Sequence, residues 1–181
     1  MSRVRVRLAI GIAVLGVVAT TTAALAGDSA KSQYRANLSG YEEVPTLSTP
    51  GVGTFRAAVS RSSDEIRYEL HYDALESQVL QSHIHLGAPA VTGGITAFLC
   101  TNLGNRPAGT PACPDPPATV TGTITPDQVT AGASAQGIGP GEFNELVAAM
   151  RAGATYANVH SQTRPGGEIR GQIGNDADEN D

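Results

Sequence analysis

Apolar and polar residues alternate along much of the chain, and this alternation predicts β-strands with two different faces. The clearest case is the segment 66–73, in which every second residue is apolar and the others are charged or histidine. Glycines and prolines separate the alternating segments, as expected for turns between strands. Weaker versions of the pattern predict further strands over 33–38, 51–60, 79–86, 95–99, 118–124 and 156–160.

The segment 156–173 contains the clearest hairpin pattern. Its first part alternates between two faces, and the chain then returns through two isoleucines. Pro165 and Gly166 suit the central positions of a type II turn, because proline fixes φ near about −65° and glycine accepts positive φ. Gly167 leaves the loop length open, so the cross-strand register is open as well.

One weaker strand and two helical segments complete the pattern. Gly122 falls on the apolar face of 118–124, where a glycine marks a bulge or a close backbone approach. Residues 125–128 have threonine, proline and glutamine at the N-cap, N1 and N3 positions of a short helix. Residues 142–152 carry an apolar stripe at helical spacing, and Gly153 follows as a C-terminal cap. Seven or eight short strands with one or two late helices predict an all-β fold, an antiparallel β-sandwich.

The N-terminus predicts export. Three arginines precede the apolar run 8–18, and Ala24-Leu25-Ala26 is a small-x-small cleavage site, so residues 1–26 are predicted to be a secretory signal peptide. A membrane anchor is the alternative, but threonines at 20–22 interrupt the run before the roughly 20 residues that a spanning helix needs. Cleavage leaves 155 residues, one domain by length, in a secreted or periplasmic protein.

The expected mature chain is acidic, with 9 basic and 17 acidic residues and a net charge of −8. It has no Lys/Arg cluster to neutralise phosphates, which argues against nucleic acid and anionic membrane surfaces as partners. Residues 27–36 are predicted to be a flexible lead-in. Residues 175–181 hold one alanine and no larger apolar group, so they are predicted to be a disordered acidic tail.

The two cysteines, Cys100 and Cys113, lie 13 positions apart in a chain that is predicted to be exported. Such a pair suggests a disulfide that closes the Gly/Pro-rich loop between them, with a stabilisation of roughly 3 kcal/mol. Two free thiols as metal ligands are the alternative, which export and the lack of a Cys-x-x-Cys motif disfavour.

Histidines are the candidate functional residues. His83 and His85 flank one isoleucine, so on a strand they share a face with Cα atoms about 6.5–7 Å apart. At that distance two imidazoles can converge on one ion or one acidic group. His160 lies in the hairpin, and the fourth histidine, His71, is predicted to be exposed on the polar face of its strand.

Several motifs resemble those of the chordin-type (CHRD) domain family, and the chain is identified as an exported, bacterial-like, single-domain member over residues 37–174. The resemblance implies a Greek-key β-sandwich like that of Cu/Zn superoxide dismutase or immunoglobulin domains, and interaction rather than catalysis. In chordin such domains accompany growth-factor-binding modules. The resemblance also makes Glu43 a candidate for a fixed role, such as bonding to backbone amides. The matching segments are Glu42-Glu-Val-Pro45, Ser82-His-Ile-His-Leu-Gly87, Tyr156-Ala-Asn-Val-His160 and Pro165-Gly-Gly-Glu-Ile-Arg-Gly-Gln172.

Two interpretations of the histidines remain open. In the first, His83, His85 and His160 form a mononuclear metal site, for which an exported imidazole cluster favours copper or zinc. Glu168 is then a group that orients an imidazole. In the second, His83 or His160 makes hydrogen bonds to Glu168 or another carboxylate.

The residues around the histidines have supporting or structural roles in both interpretations. Glu168 and Arg170 can form a surface ion pair across the hairpin, worth less than about 1 kcal/mol. Asn158 lies two residues before His160 on the predicted strand 156–160 and is a further supporting or structural residue.

Three function classes follow. The first is an exported binding module that holds a metal ion or an extracellular protein partner, and the second is a structural or adhesion domain without metal. A superoxide-dismutase-like redox enzyme is disfavoured, because a dinuclear site needs more histidines than the four present, plus an aspartate. No catalytic residue is predicted, since the chain has neither a Gly-x-Ser-x-Gly elbow nor a phosphate-binding loop.

Overall fold

A computed structural model describes residues 32–60 and 62–175. The predicted signal peptide lies outside these ranges, as do residues 176–181 of the predicted acidic tail. The first residue of that tail, Asn175, is not disordered but lies in a short strand paired with Tyr34. Within the described ranges, no helix has the length and apolar character needed to cross a bilayer.

The described residues form nine β-strands, one α-helix and three short 3₁₀ turns. The 3₁₀ turns cover Gly40–Glu42, Pro126–Gln128 and Ala131–Gln136. The turn at Pro126 has the predicted capping box, in which Thr125 and Gln128 satisfy each other's backbone amides. The remaining elements are β1 Ser32–Ser39, β2 Val52–Val59, β3 Ile66–Asp73, β4 Val79–Leu86, β5 Ile95–Thr101, β6 Ala118–Ile124, α1 Phe143–Arg151, β7 Thr155–Ser161, β8 Ile169–Gln172 and β9 Gly174–Asn175.

The strands form one antiparallel sheet in the order β5-β4-β7-β8-β1-β2-β3-β6, with β9 paired to β1. The edge strands β5 and β6 approach each other, so the sheet nearly closes on itself. Its inner face is apolar, and the apolar stripe of α1 is buried. The prediction of an all-β antiparallel sandwich is confirmed. Fully buried side chains at the centre include Tyr34, Phe55, Leu70, Ile84, Leu146 and Ile169.

The strand predicted over 33–38 is observed as β1, and it overlaps the flexible lead-in predicted over 27–36. Residues 32–36, assigned to the flexible lead-in, pair with β2 from Ser32 onward. Tyr34 and Ala36 on this segment are buried, and Tyr34 also lies opposite Asn175 of β9. Residues 32–36 therefore belong to the sheet and not to a flexible lead-in, because their alternating apolar side chains fill the core.

Gly122 is a site of close approach and not a bulge. Strand β6 pairs with β3 without a register shift, and Gly122 lies opposite Tyr68. A Cβ atom at Gly122 would lie 2.3 Å from the hydroxyl oxygen of Tyr68. That hydroxyl donates to the carbonyl of Leu99 on β5, so the space left by the glycine lets Tyr68 connect the two halves of the sheet.

The predicted disulfide between Cys100 and Cys113 is confirmed. Both cysteines are buried, and the bond joins the end of β5 to the loop that precedes β6. The side chain of Asn102 donates to the carbonyls of Val79 and Cys113, which fixes the same loop to β4.

The turn between β7 and β8 differs from the predicted type II turn. Pro165 and Gly166 are central, and the amide of Gly167 donates to the carbonyl of Arg164 at 3.1 Å. However, the glycine at positive φ is Gly167, at 131°, and not Gly166. A Cβ atom at Gly167 would lie 2.8 Å from a carboxylate oxygen of Glu43, so the close approach of that side chain also requires glycine there.

Candidate metal centre

Three histidines lie on one face of the adjacent strands β4 and β7. His83 pairs with Asn158, and His160 pairs with Gln81, two residues before His83 on β4. Because directly paired residues point to the same side of a sheet, the alternation places His83, His85 and His160 together. The neighbouring strand β5 adds the ring of Phe98, whose centre lies 4.6 Å from that of His83.

This polar face is covered by the loops that connect the strands. The loop 87–94 reaches His85, the turn 162–167 reaches His160, and the segment after β1 brings Glu43 over Asn158. The exposed fractions of the three histidines are therefore only 0% for His83, 8% for His85 and 7% for His160.

The three imidazoles form a compact cluster. One ring nitrogen from each of the three lies within 4.8 Å of the other two. The ring centres of His83 and His160 are 5.0 Å apart, and those of His83 and His85 are 5.4 Å apart. The structure thus brings together the three histidines that the sequence proposed, although 75 residues separate His85 from His160 in the chain.

Backbone carbonyls fix the protonation pattern of two rings. Nδ1 of His85 lies 2.9 Å from the carbonyl oxygen of Gly93, and Nδ1 of His160 lies 3.1 Å from that of Pro165. A carbonyl oxygen only accepts hydrogen bonds, so in each ring Nδ1 must carry the proton. The neutral rings of His85 and His160 therefore present their lone pairs at Nε2.

The position of the proton on His83 follows from its position on His160. Nε2 of His160 is an acceptor, so Nδ1 of His83, at 3.3 Å, is the donor between them. The lone pair of His83 is then also at Nε2. Nε2 of His83 and Nε2 of His85 are buried and have no hydrogen-bond partner. A buried polar atom without a partner costs about 1–3 kcal/mol, so these two lone pairs favour a hydrogen-bond donor or a metal ion as a further occupant of the cluster.

The environment keeps the cluster neutral. Burial, followed by the neighbouring His160 and His85, lowers the pKa of His83 to about 2. Burial also lowers the pKa of His85 to about 4, although its bond to the Gly93 carbonyl opposes the shift. The pKa of His160 is lowered for the same main reason. Neutral imidazole is the form that binds metals, so no proton has to leave these rings near pH 7.

These shifts predict acid sensitivity of the metal-free protein. An unfolded histidine titrates near 6.5, but folded His85 has a pKa of about 4. The unfolded chain therefore binds the extra proton below pH 6.5, and the stability from neutral His85 is lost as the pH falls toward 4. Urea unfolding should show that the loss of stability between about pH 6.5 and 4.5 is about 2 kcal/mol smaller in His85→Gln than in wild type.

Glu43 is the control for this measurement, because its contribution to stability changes with pH in the opposite direction. Its pKa is raised to about 7 by burial, so its contribution to stability increases as the pH falls. Glu43→Gln should therefore steepen the acid loss. Equal pH dependence in wild type and His85→Gln would show that His85 is not held in its neutral form.

The donor set fits a transition metal. A Zn–N bond is about 2.0–2.1 Å long, so nitrogens bound tetrahedrally to one ion lie about 3.3–3.4 Å apart. The observed limit of 4.8 Å requires each nitrogen to shift inward by less than about 1 Å. Imidazole suits copper and zinc among the common ions. The thiols cannot contribute, because Cys100 and Cys113 are joined to each other.

Glu43 and Asn158 form a buried polar contact beside the cluster. The side-chain amide of Asn158 donates to Glu43 at 2.6 Å and to the carbonyl of Ile169 at 2.9 Å. Glu43 is 9% exposed and also accepts a hydrogen bond from the backbone amide of Val44. The pair connects the segment after β1 to β7 and β8, next to His83.

Glu168 and Arg170 do not form the surface ion pair that was one interpretation of the sequence. Both are buried, and each is bound by a different part of the fold. Glu168 accepts hydrogen bonds from the hydroxyl of Thr49 and the amide of Glu76, at 2.9 and 2.8 Å. Arg170 donates to the carbonyl of Val91 at 3.1 Å. Hydrogen bonds from the imidazoles go to the carbonyls of Gly93 and Pro165 instead of Glu168.

Tyr156 is a part of the site that the sequence analysis missed. Its ring stacks on His85, with centres 4.8 Å apart and planes 4° from parallel. Its hydroxyl accepts a hydrogen bond from the amide of Gly93, whose carbonyl binds His85. The alternation on β7 already placed Tyr156 on the histidine face, but no local pattern indicated which loop atoms would meet it.

The fourth histidine is separate from the cluster. His71 lies on β3, is partly exposed, and has its Nδ1 3.2 Å from the hydroxyl of Thr119 on β6. Its environment contains none of the cluster residues, so it serves as a matched control in binding experiments.

Comparison with known protein families agrees with the motifs in the sequence. The family model of the CHRD domain matches residues 34–173, which include all three clustered histidines. No match was found among curated proteins. The match covers most of the chain and nearly all of its described part, and the chain therefore belongs to the CHRD domain family.

Proposed function

We propose that this CHRD domain is an exported binding module that holds one copper or zinc ion through His83, His85 and His160. The observation that carries the proposal is the pattern of lone pairs in the cluster. All three rings are held with the proton at Nδ1, and two of the three Nε2 atoms are buried without a partner.

The pattern favours a metal ion over a purely structural role. A structural histidine in a buried cluster satisfies both ring nitrogens, since an unpaired buried acceptor is costly. Here Nδ1 of His85 is bound to a backbone carbonyl while its buried Nε2 has no partner. Nδ1 of His160 is bound in the same way, and its Nε2 faces Nδ1 of His83 inside the cluster. This division of roles is typical of metal-binding histidines, in which the second nitrogen is oriented by a carbonyl or carboxylate.

Binding is favoured over dismutase-like catalysis. Among the described residues, His83, His85 and His160 are the one group of three or more potential ligands in mutual reach. A dinuclear copper–zinc site needs a second such group. Export accords with the disulfide, because disulfides persist in oxidising compartments.

Metal titration tests the proposal directly. Elemental analysis and titration with copper and with zinc should give close to one ion per chain for the wild-type protein. The His83→Ala/His85→Ala variant should lose this binding, since one imidazole remains. His71→Ala is the matched control and should bind as the wild type does, because His71 is outside the cluster.

Circular dichroism establishes that each variant is folded before binding is compared. No binding by the wild type, or equal binding by the double variant, would refute the metal site. The histidines would then be structural, and the domain would act through protein contacts without metal.

A further inference from the structure

A buried positive charge lies beside the histidine cluster. Arg170 on β8 is only 2% exposed, and its guanidinium carbon lies 3.6 Å from the ring centre of Tyr156. The ring of Tyr156 in turn stacks on His85 at 4.8 Å. Arg170 thus contacts Tyr156, and Tyr156 contacts the candidate ligand His85.

The stack fixes how far the charge is from the site. The two contacts keep the guanidinium carbon within about 9 Å of the His85 ring, a range over which charges in a buried site interact appreciably. The positive charge of Arg170 is one of the causes that lower the pKa of His85, in agreement with this proximity. The bond to the carbonyl of Val91 holds the guanidinium in place.

The ligands themselves do not offset this charge. Three neutral imidazoles contribute no negative charge, and the cluster contains no carboxylate or thiolate. Glu43 interacts with Arg170 electrostatically, but its carboxylate is directed to Asn158 and Val44, and the two side chains form no ion pair. A bound ion therefore adds its charge to a buried region that already holds a cation.

We propose that Arg170 makes the three-histidine site selective for a singly charged copper ion over a doubly charged ion such as zinc. This inference rests on the proposed metal-binding function. Repulsion from Arg170 grows in proportion to the charge of the ion, and the desolvation cost of a buried ion grows faster still. Imidazole nitrogens bind both metals, and the charge of Arg170 shifts the balance toward the ion of lower charge.

Competition experiments with two variants test the role of the charge. Cu(I), supplied as its acetonitrile complex under nitrogen, is competed with bicinchoninate, and Zn(II) is competed with a zinc-chelating dye. Arg170→Gln removes the charge and keeps a hydrogen-bond donor for Val91. Arg170→Lys keeps the charge and removes the planar group that stacks on Tyr156.

The wild type should hold Cu(I) more tightly than Zn(II). Arg170→Gln should raise the Zn(II) affinity relative to Cu(I) by roughly tenfold, whereas Arg170→Lys should leave the ratio close to that of the wild type. A structural role of Arg170 would change both affinities together and in both variants. Equal ratios in wild type and Arg170→Gln would overturn the inference while leaving the metal site intact.

The wild type alone provides a second measurement if the glutamine variant does not fold. The reduction potential of bound copper should be higher than that of copper with free imidazole in the same buffer, because the buried cation disfavours Cu(II). A lower potential would overturn the inference. A wild-type protein that binds neither ion would overturn the proposed function itself, and the inference with it.

Discussion

Saturation of the histidine cluster with metal should raise the free energy of unfolding by about 4 kcal/mol when the free ion is at about 1,000 times its dissociation constant. The reason is that the ligand set exists only in the folded chain. His83 and His85 share one strand, but His160 comes from a strand 75 residues further on. An unfolded chain retains at most the His-x-His pair, so the ion binds the native state preferentially.

The measurement is urea unfolding of the wild-type protein with excess metal and with a chelator. His83→Gln/His85→Gln should show no stabilisation by metal, while His71→Gln should show the full effect. The metal-free double variant also reveals the cost of the cluster. It removes two unpartnered ring nitrogens but also the hydrogen bonds of His83 to His160 and of His85 to Gly93, so its stability relative to the metal-free wild type measures the net cost of the cluster.

Two results would contradict the prediction. Unchanged wild-type stability on adding metal would mean that the ion does not bind the native state preferentially. Equal stabilisation of wild type and double variant would place the ion elsewhere on the protein. Either result would argue against a metal-binding role for the three histidines, despite their geometry.

Strand positions were predictable because alternation is a local property. The bounds of β3, β4 and β6 agree with the predicted segments. In β3 the apolar positions recur every second residue, and in β6 only Gly122 interrupts this pattern. The order of the strands was not predictable in the same way. Strand β4 lies between β5 and β7, and the pairing with β7 joins segments about 75 residues apart, for which a single sequence holds no local signal.

The site was predictable in its ligands and not in their surroundings. Period-2 spacing placed His83 and His85 on one face, and the hairpin motif supplied His160. The carbonyls of Gly93 and Pro165 could not be predicted, because every residue has a carbonyl and only tertiary structure aims two of them at imidazoles. The polar character of Glu168 likewise suggested an exposed side chain or a contact with a histidine. In the structure it is buried, and it contacts Thr49 and the backbone of Glu76 instead.

Glu168→Ala should lower the free energy of unfolding by about 3–5 kcal/mol and leave metal binding unchanged. The carboxylate is fully buried and accepts hydrogen bonds from the hydroxyl of Thr49 and the amide of Glu76. Hydrogen bonds to a charged group are worth about 1.5–3 kcal/mol each, and alanine would leave both donors without a partner. These contacts connect β8 to the loops that follow β1 and β3, so their loss loosens the fold at that end of the sheet.

Glu168→Gln is the matched control, because its carbonyl oxygen can accept from both Thr49 and Glu76. Its amide group replaces the carboxylate oxygen that has no partner, so this variant should lose much less stability than Glu168→Ala. Chemical unfolding with chelator present, followed by metal titration of each folded variant, gives the two quantities. A folded Glu168→Ala variant with reduced metal affinity would show that Glu168 acts on the histidines, whereas unchanged affinity with lowered stability assigns it to the fold alone. We expect unchanged metal affinity with lowered stability, because Glu168 and the histidines have different hydrogen-bond partners. The imidazoles of His85 and His160 are oriented by backbone carbonyls. The carboxylate of Glu168 is bound by Thr49 and Glu76.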